Sequence, residues 1–143
     1  MLLNTTQAHL NTVLELLDES LDLYEDMRER LPETSRRVQL DSMMQQRREL
    51  LEGLRKAGMN ELQLRPRVAD QEIEGLTHLL EQFRSLWQEP ATVALDLLQD
   101  HERELQRAVL ELHQDAGSLG PTLKTLLQEL DGHLAAAEVW FQH

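Results

Sequence analysis

Apolar residues recur at alternating spacings of three and four along most of this chain, the period of helices with one buried face. No segment alternates as a strand does. The first run, from about Asn4 to Leu31, carries Leu10, Leu14, Leu17, Leu21, Tyr24 and Leu31 on its stripe, with Arg28 between the last two. Val13 and Met27 widen one flank, and Asp18 and Glu25 line the other. Pro32 ends the run, because proline disfavours a helical residue before it and cannot donate the next hydrogen bond. A second helix begins near Glu33 or Thr34, with Thr34 or Ser35 as N-cap. Its stripe is Leu40, Met43, Met44, Arg47, Leu50, Leu51, Leu54 and Ala57, and Gly58 is expected just past its last turn.

Residues Met59 to Arg67, with Pro66 among them, are expected to be irregular. A shorter helix follows from about Val68 to Gln88, with Ile73, Leu76, Leu80, Phe83 and Trp87 on one face. Pro90 then opens a long helix reaching about Asp115, whose stripe is Ala94, Leu97, Leu98, His101, Leu105, Ala108, Val109 and Leu112. After a short Gly-containing turn, Pro121 opens the last helix, with Leu123, Leu126, Leu127, Leu130, Leu134, Ala137 and Phe141 inward and His133 and Trp140 on the flank. These elements predict an all-α fold: one domain over residues 1–143, an antiparallel up-down-up-down four-helix bundle. The extra, shorter helix lies in the connection between bundle helices two and three.

Three stripes are interrupted near mid-helix by ionisable residues: Arg47, His101 and His133. Arginine cannot shed its charge, so a buried Arg47 must find carboxylates or carbonyls. Asp18, Glu25 and Glu104 are its expected partners, and Tyr24 turns inward near the same level. Asp18, Tyr24, Glu25, Arg47, His101, Glu104 and His133 thus define a candidate polar core layer. It serves either as a buried ion pair fixing helix register or as an anion site.

Bundles of this shape host di-iron centres built from Glu residues and Glu-x-x-His motifs on facing helices. Thr6, Gly75, Leu98, Leu110, Leu130 and Trp140 stand three residues before the six histidines, so the motif is absent. Glu49 and Glu52 have the spacing but lie off the stripe. One smaller metal set survives: His101 and Glu104 on one helix with Glu129 and His133 on the next, suited to zinc if the helices face one another. The main expectation is no metal and no cofactor. No Ser-His-Asp context, phosphate loop or strand-turn-helix supports nucleophilic catalysis, so the reading leans away from an enzyme.

Charge narrows the partners. With 26 acidic against 14 basic residues the formal net charge is −12, a surface that repels nucleic acid and anionic lipid. No stretch approaches the roughly 18 apolar residues of a membrane span, and the Met1–Thr6 start lacks the pattern of a signal peptide. Cysteine is absent, which excludes disulfides and thiolate chemistry. The expected address is the cytoplasm of a bacterial-type cell. Phe83, Trp87, Trp140 and Phe141 are four of only five aromatics, and they are candidates for a homodimer or protein-partner contact. A partner-helix groove using the five methionines is less favoured, since Met27, Met43 and Met44 fall on core stripes.

Three stretches carry a family resemblance. Leu16-Leu17-Asp18-Glu19-Ser20-Leu21-Asp22-Leu23-Tyr24 resembles the first helix of a bacterial branch of the ferritin-like superfamily, four-helix-bundle proteins of unknown function. Gln46-Arg47-Arg48-Glu49-Leu50-Leu51-Glu52-Gly53-Leu54 is similar to its second helix. Asp100-His101-Glu102-Arg103-Glu104-Leu105 occupies the place of an acidic stretch opening the third. The resemblance spans most of the chain through overall pattern rather than strict motifs. It implies a bundle with a crossover helix, shared structural positions at Tyr24 and Arg47, and no established activity. His101 stands where an acidic residue is usual, so no inherited ligand role follows.

Overall fold

Asn4 opens the first helix, α1 (Thr5–Arg30), with a capping box. Its side chain accepts from the Gln7 amide at 2.8 Å, and the Gln7 side chain accepts from the Asn4 amide at 3.0 Å. The computed structural model describes residues 4–31, 35–64, 73–86 and 92–142. Four further α-helices follow among the described residues: α2 (Ser35–Glu61), α3 (Ile73–Leu86), α4 (Thr92–Gln114) and α5 (Pro121–Gln142), with a 3-10 turn at Ala116–Ser118. No strand occurs among the described residues. The expected N-cap Thr34, the Pro66 connection, Trp87 and Pro90 lie outside them.

Gly58 does not end α2. Its carbonyl accepts from the Leu62 and Leu64 amides, both at 3.0 Å, so the helix runs on through Met59 to Glu61. Gln63 takes the left-handed conformation instead, with φ 56°. Gly58 is buried, and a Cβ there would stand 2.8 Å from Leu10 Cδ2. Close approach of α1, rather than turn chemistry, is what this glycine serves.

Helix α1 packs against α2 and α4, and α5 packs against the same two; α3 lies on α1 and α4. Side-chain pairings fix the directions. Along α1 and α2, Gln7 meets Leu62, Asp18 meets Arg55 and Arg28 meets Asp41, so these helices are antiparallel. Along α1 and α4, His9 meets Asp115 and Glu19 meets His101, again antiparallel. Helix α5 opposes α2 in the same sense, with Thr122 at Glu61, His133 at Arg47 and Trp140 at Arg36. Helices α2 and α4 therefore run the same way. The expected up-down-up-down order is corrected to up-down-down-up for α1, α2, α4 and α5. A short hairpin cannot join two parallel helices, so the chain between α2 and α4 has to return from one end to the other.

The apolar interior is two clusters. One gathers Leu10, Val13 and Leu17 of α1, Leu50, Leu51 and Leu54 of α2, Leu105 to Leu112 of α4 and Leu123 to Leu134 of α5. The other gathers Leu23, Tyr24 and Met27, Leu40, Met43 and Met44, Phe83, Ala94 and Leu98, and Ala137 and Trp140. Helix α3 joins the second cluster through the fully buried Phe83, and Arg84 Nε donates to Asp26 Oδ1 at 3.0 Å beside it.

Candidate functional site: a polar layer between two apolar clusters

Between the clusters each of α1, α2, α4 and α5 turns one polar residue inward. On α1 Ser20 sits between Leu17 and Leu23; on α2 Arg47 sits between Leu50 and Met44. On α4 Glu102 sits between Leu105 and Leu98, and on α5 His133 sits between Leu130 and Ala137. Arg47 is 0% exposed, Ser20 1%, His133 2% and Glu102 6%. Charges this deep persist only if their partners surround them.

Arg47 organises the layer. Its Nε donates to His133 Nε2 at 2.8 Å, and Nη1 donates to Ser20 Oγ at 2.9 Å and to Glu102 Oε1 at 2.5 Å. Nη2 donates to Glu102 Oε2 at 3.1 Å, completing a two-point pair with the carboxylate. Its Cζ also stands 5.0 Å from the Tyr24 ring centroid. The Tyr24 hydroxyl donates to Glu102 Oε1, and the Ser20 hydroxyl donates to the Leu17 carbonyl at 2.7 Å. Burial works against the Arg47 charge, but the Glu102 carboxylate outweighs it and holds the guanidinium protonated. Burial likewise raises the Glu102 pKa, yet Arg47 and the hydrogen bonds donated to it bring it below the ordinary carboxylate value. Tyr24 is pushed well above the usual phenol value, chiefly by burial.

The state of His133 follows from its partner. A guanidinium N–H can only donate, so Nε2 must accept and the imidazole is neutral with its proton on Nδ1. That proton points to Gln46 Oε1, 3.2 Å away. Burial first, and the Arg47 charge second, lower the His133 pKa from 6.5 to about 4.

Other residues of the expected layer lie elsewhere. Asp18 and Glu25, expected as Arg47 partners, are exposed and pair with Arg55 at 3.5 Å and Arg48 at 3.2 Å. Glu104 is exposed on the outer side of α4. The partner of Arg47 is Glu102, one residue from His101 and half a turn from Glu104 around α4. His101 is buried but faces α1, its Nε2 3.2 Å from Glu19 Oε2, while its Nδ1 has no hydrogen-bond partner among the described residues.

The alternative zinc set is corrected as well. His101 bonds Glu19, His133 bonds Arg47, and Glu104 and Glu129 are exposed. No group of three or more His, Asp or Glu that could hold a metal occurs among the described residues.

The described aromatic interface candidates, Phe83, Trp140 and Phe141, face inward. Phe83 is 0% exposed, and Trp140 is buried with its Nε1 donating to the Arg36 carbonyl at 3.3 Å. The Arg36 guanidinium lies 4.4 Å over the Trp140 ring. Phe141 is half-buried and meets Trp140 edge-on at 5.1 Å and Tyr24 at 6.2 Å. Side chains of this size are most easily buried where the second cluster closes over Tyr24.

A cleft reaches the layer. It lies between α4 and α5, open to solvent, lined by Gln99, Glu102, Arg103, Gln106, Glu138 and Phe141. Glu102 is its innermost charged group. No described helix is long and apolar enough to cross a membrane. No protein-family model, curated protein or solved structure matches the chain.

Proposed function

We propose that α1, α2, α4 and α5 form a ferritin-like four-helix bundle, covered on one side by α3, that works without catalysis as a scaffold for self-association or protein contact. One observation carries this reading. The middle of the interior, where a di-iron bundle gathers ligands, is filled by a guanidinium whose partners come from the other three helices. A cation there repels a metal, and four of its five N–H donors are engaged inside the protein. The parallel run of α2 and α4 supports the ferritin-like connectivity, which has one long crossover. The acidic surface, 26 acidic against 14 basic residues, favours contact with another protein over nucleic acid.

Elemental analysis and light scattering test the reading together. The expected result is less than a stoichiometric amount of iron or zinc and a mass above the 16.6 kDa of one chain at high concentration. One metal per chain, lost in His101→Ala or His133→Ala, overturns the scaffold reading. A strict monomer at every concentration removes self-association.

A further inference from the structure

We infer that His133 is an acid-sensitive latch, whose protonation releases the C-terminal half of α5 from the polar layer. The inference goes beyond the scaffold reading and starts from hydrogen-bond geometry. Nε2 of His133 accepts from Arg47 Nε at 2.8 Å. A proton on Nε2 sets donor against donor and cation against cation, with no rotation of Arg47 that keeps its other bonds. The groups facing His133 are Arg47 and Gln46 of α2 and Glu102 of α4, with Tyr24 and Ser20 of α1 behind the guanidinium.

Glu102 is the layer's one carboxylate, and both its oxygens already accept from Arg47. It cannot also neutralise an imidazolium. The layer therefore changes from balanced to net positive, and the imidazolium moves to water.

Its exit is set by the packing around it. The cleft between α4 and α5 already brings solvent to Glu102. On the N-terminal side of His133, Asp131 accepts from His113 Nε2 of α4 at 2.8 Å. That contact ties this end of α5 to α4 outside the polar layer, and protonation of Nε2 breaks the contact at His133. Release is confined to the stretch from His133 to Gln142, where Trp140 and Phe141 cover the second apolar cluster.

The test is a proton and nitrogen NMR titration of the full chain from about pH 7 to about pH 3, which spans the lowered His133 value of about 4. At pH 7 His133 is expected as the neutral Nδ1–H tautomer. As the pH falls, a second set of amide resonances is expected for residues 133–142, growing about tenfold per pH unit as one-proton linkage requires. His133→Gln keeps an acceptor for Arg47 but cannot titrate, and it should stay in the first set throughout. An identical second set in His133→Gln overturns the latch. If that variant does not fold, the wild type decides alone: an imidazolium at pH 7, or titration of His133 with residues 133–142 unmoved, overturns it.

Discussion

Arg47 and Glu102 form a two-point ion pair, Nη1 to Oε1 at 2.5 Å and Nη2 to Oε2 at 3.1 Å, between two helices that do not pack side by side. The pair spans the interior from α2 to α4, while α1 and α5 fill the two sides. Burying both charges costs several kcal/mol each, which their attraction and surrounding hydrogen bonds must offset. Its net contribution to stability is therefore small. Its effect on specificity is larger, because a one-turn slip of α2 or α4 strands a charge among leucines.

Breaking the pair from one side should cost far more than removing it. Glu102→Gln leaves Arg47 charged and uncompensated, and Arg47→Met leaves a buried carboxylate; each should lose about 3–5 kcal/mol in urea unfolding. Arg47→Met combined with Glu102→Leu removes both charges and should be more stable than either single variant. A double variant as unstable as the two single losses summed would show that the residues do not act as a compensated unit.

Tyr24 is the only tyrosine in the chain, so its ionisation can be followed by ultraviolet absorbance without ambiguity. Burial raises its pKa well above the usual value of 10.0. The folded phenol should therefore stay neutral at a pH where the unfolded one ionises. Stability from this group is complete below about pH 10 and falls as the pH rises toward the native pKa, because only the unfolded chain releases the proton. Tyr24→Phe should lose about 1.5–3 kcal/mol at neutral pH, the range for a hydrogen bond to a charged group. It should also flatten the alkaline decline. Phenolate absorbance appearing near pH 10 before the helices melt would contradict this account.

The helices were legible because period and punctuation agree: Asn4, Pro32 and Pro121 stand where the sequence changes register, and α1 and α5 begin where those signals put them. The mid-level residues were legible in part. Arg47 interrupts an otherwise apolar stripe and cannot hide. Glu102 has the spacing of a core residue, four after Leu98 and three before Leu105, but an acidic run on both sides disguises it as surface. Ser20 is disguised in the same way. It continues the line of Val13 and Leu17 toward Tyr24 and Met27 at the four-three spacing, yet Leu14 and Leu21 offer a rival stripe one residue round the helix. Both of those leucines are only partly buried. Helix direction was not legible, because it depends on where the α2–α4 connection lands rather than on any local pattern.

Helix α3 gives a direct comparison between an apolar anchor and a charged one. Phe83 is fully buried in the second cluster, whereas the Arg84 side chain is 54% exposed and meets a nearly buried Asp26. Phe83→Ala should lose about 3–5 kcal/mol, the usual cost of emptying an aromatic site in a core. Arg84→Ala should lose about 1 kcal/mol or less, since water screens its side of the pair. Hydrogen exchange across residues 73–86 should rise sharply in the first variant and slightly in the second. A near-neutral Phe83→Ala would return that ring to the surface and to the partner contact its sequence position suggested.

Two glycines inside helices should respond to alanine with opposite signs. Gly132 lies on the exposed side of α5, and a Cβ there meets nothing within 4 Å. Gly132→Ala should therefore stabilise by about 0.5–1 kcal/mol, the helix-propensity difference between the two residues. Gly58 offers the same gain, but its Cβ would stand 2.8 Å from Leu10 Cδ2, and Leu10 is 0% exposed with its neighbours close-packed around it. Overpacking of this kind costs about 1–3 kcal/mol, so the sum for Gly58→Ala should be a net loss of about 1 kcal/mol. Thermal unfolding of the two variants beside the parent protein reads both signs. If Gly58→Ala instead melts higher, Leu10 has room to turn, and α1 and α2 do not approach as closely at this point as the buried glycine requires.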